Sequence, residues 1–342
     1  MSATSARSPA GSVGPVTAAN TAPGSPGVAD GLGPNGPNDP RRRKRRPAHG
    51  HASWRVAALW LGPALLLIVG VVIYPAIALV RASFNEYSIT GLRRGSAGWA
   101  NYANVLQHDD LVTVLRNTIV WLVAVVTVTV LISLALAQFL VKEFYGRRLV
   151  RWAIIVPWAA SLVITARLFT LMYDYYHGIL NTLLLNLNIV DEPVDFLGDD
   201  RWTMPSMVAV GVFVSIPFTA YVFLAGLHAI PTDVYEAARV DGARPWQTYR
   251  RITLPLLRPA ILVATVLNMI YVFNSFPIIY TLNERNPGFI HDTSITFAYK
   301  LAFKSAEKDV GMSAAAGVFN VLFILLIVVV YLRVVRPQEE LR

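Results

Sequence analysis

The chain has 342 residues, of which 54% are hydrophobic and 15% charged, a balance too apolar for an ordinary soluble domain of this length. It contains no cysteine, which excludes disulfides and thiolate metal sites, and its six histidines form no close-spaced ligand pair, so neither metal nor redox chemistry is expected. The net charge of +9 is gathered in one N-terminal run and in short loops between apolar segments, a distribution that suits membrane orientation and not nucleic-acid binding.

Residues 1–53 are rich in Pro, Gly, Ser and Ala and hold no apolar run, so they read as a disordered basic cytoplasmic tail and not as a cleavable signal peptide. Its Arg41 to Arg46 cluster, RRRKRR, reads as an orientation signal and an anchor to anionic lipid. From residue 54 to 342, six stretches are long and apolar enough to cross a hydrocarbon core about 30 Å thick. They run from about Val56 to Phe84, Val112 to Val141, Leu149 to Met172, Met204 to Ala229, Leu256 to Leu282 and Met312 to Val335. Pro63, Pro75, Pro157, Pro217 and Pro277 fall inside these runs and are expected to kink the helices without ending them.

Basic residues set the orientation. Arg55 precedes the first span, Lys142, Arg147, Arg148 and Arg151 lie between the second and third, and Arg250, Arg251 and Arg258 follow the fourth. The loop carrying Asp191, Glu192, Asp195, Asp199 and Asp200 is acidic and belongs outside, so both termini are expected in the cytoplasm. Arg167 lies inside the third apolar run, where a lipid-facing guanidinium costs about 2.5–3.5 kcal/mol near mid-depth. It lies about 24 Å along the helix from Arg151, so a snorkelling or bundle-facing position is expected, with a role on a translocation path as the alternative. Tyr173, Tyr175 and Tyr176 read as an interfacial aromatic belt.

The longest cytoplasmic loop, residues 230–256, carries Glu236, Ala237, Ala238, Asp241, Gly242, Ile252, Leu254 and Pro255. Thr232 or Asp233 can cap a short helix, Gly242 supplies a permissive turn, and Pro245 can open a second short helix. Two small alanines and one carboxylate suit a surface that another protein approaches closely. The spacing E-A-A, three residues, G, nine residues, I-x-L-P resembles the EAA loop of ABC importer permeases at every fixed position. That resemblance implies an all-α polytopic membrane protein with six transmembrane helices and the type I, MetI-like, importer fold. It also implies that the loop docks on an ATP-binding subunit. The chain has no G-x-x-x-x-G-K-[ST] phosphate loop, so ATP and Mg are expected on that partner and no catalytic residue is expected here.

The stretches Ile270 to Leu282 (IYVFNSFPIIYTL) and Asp241 to Pro259, with SFNEYS and GWANYANVL after the first span, resemble the maltose-type and glycerol-phosphate-type sugar permeases. Tyr271, Asn274 and Ser275 share one helical face by spacing, with Asn268 one turn earlier. By the resemblance, Ser215, Phe218, Tyr271, Asn274 and Ser275 fall near substrate-lining positions, against a reading as helix–helix contacts.

The expected partners are a second homologous permease, a dimeric ATP-binding subunit, an external solute-binding protein or lipoprotein, the sugar and membrane lipid, with no nucleic acid. The expected location is a bacterial cell membrane. A membrane enzyme would need a carboxylate or metal cluster at an interface, which Asp191 to Asp200 does not offer. A non-sugar cargo such as glycerol phosphate, or an ion-coupled secondary transporter, is the alternative; the latter leaves the EAA spacing unexplained.

Overall fold

The computed structural model describes residues 54–286, 288–304 and 308–335. The tail with its RRRKRR cluster lies outside them. The chain divides into a unit ending at Gly62, whose described part is the start of the first helix, and a unit from Pro63 onward.

Helix α1 (Trp54–Leu67) passes through a π-helical turn, Ile68–Ile73, into α2 (Tyr74–Ser83). A hairpin of β1 (Asn85–Tyr87) and β2 (Arg93–Ser96) follows, then α3 (Ala100–Leu106). This hairpin adds strands to a fold expected to be wholly helical; Gly91, at φ 80°, allows its tight return, and Ser88 Oγ accepts from the Leu92 backbone N–H. Next come α4 (Leu111–Val141), α5 (Arg147–Trp158), α6 (Leu162–Met172), α7 (Ile179–Asn186) and α8 (Asp200–His228). The short α9 (Thr232–Val240), α10 (Pro245–Thr248) and α11 (Leu254–Leu256) lead to α12 (Arg258–Phe273), α13 (Phe276–Leu282), α14 (Ser294–Phe303) and α15 (Val310–Val335).

Among the described residues four helices are long and apolar enough to cross a membrane: Ala58–Ser83, Leu111–Val141, Asp200–His228 and Val310–Val335. The third and fifth apolar runs are each split in two, which corrects the expectation that proline only kinks. Pro157 sits one residue before the end of α5, and Ser161, extended at ψ 139°, restarts the chain as α6. Pro277 stands in the first turn of α13, after a break at Asn274 and Ser275. Pro63 and Pro217 do lie within continuous helices. Beside Pro217, Ser133 of α4 donates to the Ile216 carbonyl at 3.2 Å and so ties α4 to α8 at the proline.

The core is an α4–α8 pair against which α12 and α13 pack, with Trp121, Val125, Met207, Val210, Val272 and Ile279 buried together. Gly211 permits the close approach: a Cβ there would lie 2.6 Å from the Trp121 ring. Trp121 also donates its indole N–H to the Val272 carbonyl at 2.9 Å, beside the break in span five. Tyr173 turns inward, buried with its hydroxyl donating to the Ser206 carbonyl, so it is not part of an interfacial belt; Tyr176 is exposed. Nearby, the His177 and Tyr176 backbone N–H groups donate to Asp174, and this holds its carboxyl below the usual range.

Candidate functional site

The Glu236 loop folds as two short helices joined by one tight turn. Helix α9 starts directly after Pro231, and neither Thr232 nor Asp233 caps it; Thr232 is its first residue. At its other end the Ala243 N–H reaches the Ala238 carbonyl at 2.9 Å and the Gly242 N–H reaches the Arg239 carbonyl at 3.1 Å. This is a Schellman closure, which needs a left-handed residue, and Gly242 supplies it at φ 71°. Arg244 then enters α10, its backbone N–H bonded to Gln247 Oε1 at 2.9 Å, with Pro245 first in the helix.

Glu236, Ala237, Asp241 and Gly242 are exposed, and Glu236 has no ion pair among the described residues. Ala238 is buried, packed against its own chain, so only Ala237 of the alanine pair offers surface; its neighbours on the motif, Ile252, Leu254 and Pro255, are half-buried. Two apolar side chains that the spacing did not single out stand out on this face, Val240 at 87% exposure and Trp246 at 68%. A fully exposed valine one residue from a helix end was legible in the sequence only as an ordinary helix position.

The loop is mechanically tied to the membrane helices. Thr253 Oγ1 donates to the Tyr235 hydroxyl at 3.3 Å, joining α9 to the π-helical turn Tyr249–Thr253. The segment Pro245–Leu256 meets α12 at a bend of 63°, pinned at Leu257, which is buried among Leu140, Phe223, Leu227 and Ala264. A Cβ on Gly226 would lie 2.7 Å from the Ala260 methyl and 2.8 Å from a Leu257 methyl, so the glycine lets α12 pack closely on α8 at the bend.

Farther along α12 and α8 lies a cavity of about 260 Å³ lined by Trp158, Val214, Ser215, Phe218, Leu267, Asn268 and Tyr271. Of the five residues the resemblance placed near a substrate path, Ser215, Phe218 and Tyr271 line this cavity together. Asn274 and Ser275 are not in this lining. The helix ends at Phe273, and the two side chains bond back to its last turn, Asn274 Nδ2 to the Ile270 carbonyl at 2.8 Å and Ser275 Oγ to the Tyr271 carbonyl at 3.0 Å. Asn268 is only 2% exposed, and its Nδ2 has no hydrogen-bond partner among the described residues. A buried donor left unpaired costs about 1–3 kcal/mol, which a hydroxyl entering the cavity would recover. Trp158, the added aromatic wall, was hidden in the sequence inside a run of apolar residues.

At the far end of α13, Arg167 pairs with Glu284 at 2.7 Å, each about half exposed. The guanidinium therefore has a carboxylate counter-charge, which lowers its cost in the apolar run. Next to it, Asp292 is fully buried: Asn283 Nδ2 donates to its Oδ1 at 3.0 Å, and Lys300 Nζ lies 2.6 Å from its Oδ2. Asn117 of α4 donates to the Ile290 and Asp292 carbonyls, and His291 meets Asp200 at the start of α8 at 2.8 Å.

Residues 129–338 match the family described as binding-protein-dependent transport system inner membrane component. The chain belongs to that family. A probable ABC transporter permease protein of Brucella suis biovar 1 is 36% identical over 81% of this chain and 96% of its own length. The trehalose/maltose transport system permease of Thermococcus litoralis is 31% identical over 84% of this chain and 95% of its own. Among solved structures, a chain of the bacterial alginate ABC transporter in complex with an alginate pentasaccharide-bound periplasmic protein superposes with a TM-score of 0.68. It is 25% identical and covers 83% of this chain and 94% of that one. The protein is therefore a membrane-embedded permease of an ABC importer, and α9 to α11 fall inside the matched region.

Proposed function

We propose that this permease carries a sugar inward, driven by an ATP-binding subunit that docks on α9 and α10 and supplied by an external solute-binding protein. A second, homologous permease completes the pathway. The chain itself catalyses nothing: ATP and Mg belong to the docked subunit. Both termini face the cytoplasm, as the basic loops at Lys142 to Arg151 and Arg250 to Arg258 favour.

The sugar reading rests chiefly on the cavity. Trp158, Phe218 and Tyr271 offer aromatic surface for the apolar face of a ring, and Asn268 offers an unpaired donor to a hydroxyl. The named cargo of the Thermococcus relative supports the same class. No cationic side chain lines the cavity, so the phosphate of a glycerol phosphate would be desolvated there without a partner. The uncharged sugar is thereby favoured.

Coupling follows from the connections. A push on Glu236 and Ala237 moves α9 and α10 together, because the Gly242 turn and the Tyr235–Thr253 contact join them. The motion passes through the Leu257 bend into α12, whose Asn268 and Tyr271 face the cavity. Uptake of radiolabelled neutral and anionic sugars, compared between the native host and its deletion strain, tests the cargo; loss of no sugar on deletion contradicts it. Asn268→Leu removes the unpaired donor, so it is expected to leave thermal stability unchanged or raised. Uptake KM should rise roughly fivefold to tenfold, the worth of one hydrogen bond. A KM equal to that of the unsubstituted protein would remove Asn268 from the cargo path.

A further inference from the structure

A second cavity, of about 640 Å³, opens between the end of α4 and helix α10, away from the cargo path. On α4 its wall is Leu131, Leu134, Ala135, Gln138 and Phe139, at the three- and four-residue spacing of a single helix face, with Lys142 just past the helix end. The opposite wall is Trp246 and Tyr249, their rings 5.7 Å apart.

The groove changes character along its length. The eleven-residue advance from Leu131 to Lys142 is about 16 Å, the depth of one leaflet in a hydrocarbon core of about 30 Å. Its deep end is aliphatic; its loop end has the Lys142 ammonium, with no ion pair among the described residues, and the two aromatic rings typical of the headgroup level. Gln138 Nε2 is shielded from solvent and has no hydrogen-bond partner among the described residues, which leaves a donor on the same face as the cation.

We propose that this groove holds one membrane phospholipid of the leaflet next to the coupling loop. Its phosphate meets Lys142 and the Gln138 amide, and an acyl chain lies along Leu134 and Leu131. A protein helix would match the aliphatic end but would leave the ammonium and the amide with no anion. The order of groups, apolar at depth and cationic with a free donor at the interface, follows the order of groups in a phospholipid. Seated between α4 and α10, the lipid fills the space that would otherwise let the second coupling helix rock against the bundle.

The test uses the assembled importer purified in detergent with a benzophenone amino acid at Ala135, and a second preparation with it at the exposed, apolar Leu326 of α15. After delipidation and irradiation, mass spectrometry is expected to find a phospholipid adduct at position 135 and none at 326. In the Ala135-labelled protein, Lys142→Glu is expected to lower adduct yield at least about fivefold, the loss of one charge-assisted contact. A crosslink from 135 to a protein chain, equal lipid yields at 135 and 326, or a yield indifferent to Lys142→Glu would each overturn the proposal.

Discussion

Gly242→Pro is expected to abolish uptake, by on the order of 100-fold, while the chain remains inserted and folded. The reason is conformational and not steric: no atom lies within 4 Å of a Cβ built on Gly242, but its φ of 71° is one that proline, fixed near −65°, cannot adopt. Proline also lacks the N–H that reaches the Arg239 carbonyl, so the closure between α9 and α10 opens. Glu236→Lys should give a similar loss by another route, since it reverses the charge of an exposed, unpaired carboxylate on the docking face. Neither site contributes to the buried core, so gel-filtration profiles and protease protection should match the unsubstituted protein. Normal uptake in both variants would refute the coupling role; misfolded profiles would show that the turn acts on folding instead.

Asp292→Ala is expected to give the largest loss of stability, about 3–5 kcal/mol, or on the order of 10 °C in the thermal transition. Its carboxylate is fully buried, and its removal leaves the mostly buried Lys300 ammonium without its counter-charge and Asn283 without its acceptor. The loop from Asn283 to Thr293 would then lose its ion pair to α14, while the Lys300 bond to the Gly288 carbonyl and the Asn117 bonds to its backbone persist. The double change Asp292→Asn with Lys300→Met should recover most of the loss, because removing both charges leaves neither one buried alone. No recovery in the double variant would show that the pair is not the source of the stability.

Hydropathy made the spans legible because each needs about 20 apolar residues, whatever packs around it. What it left open was whether a proline bends or breaks a helix, since that depends on distant donors. Pro217 stays within α8, whereas α12 ends before Pro277, with Asn274 and Ser275 bonded back to the carbonyls of its last turn. That same choice removed these two residues from the cavity lining, although their spacing from Tyr271 suggested a common face. The coupling turn was legible because only glycine adopts its backbone angle readily. The burial of Ala238 was not, because a small residue serves equally under a neighbour or on a docking face. The Asp292 cluster was invisible for a plainer reason: Asn117 and the loop it binds are separated by more than 170 residues.

This permease is expected to work only as one part of an assembly joined through α9 and α10. The most direct measurement is mass spectrometry of the proteins that co-purify with the tagged chain from native membranes in mild detergent, with Glu236→Lys purified in parallel. A second permease and an ATP-binding subunit are expected with the unsubstituted chain, and loss of the ATP-binding subunit with Glu236→Lys. Repeated recovery of the intact chain alone would contradict it.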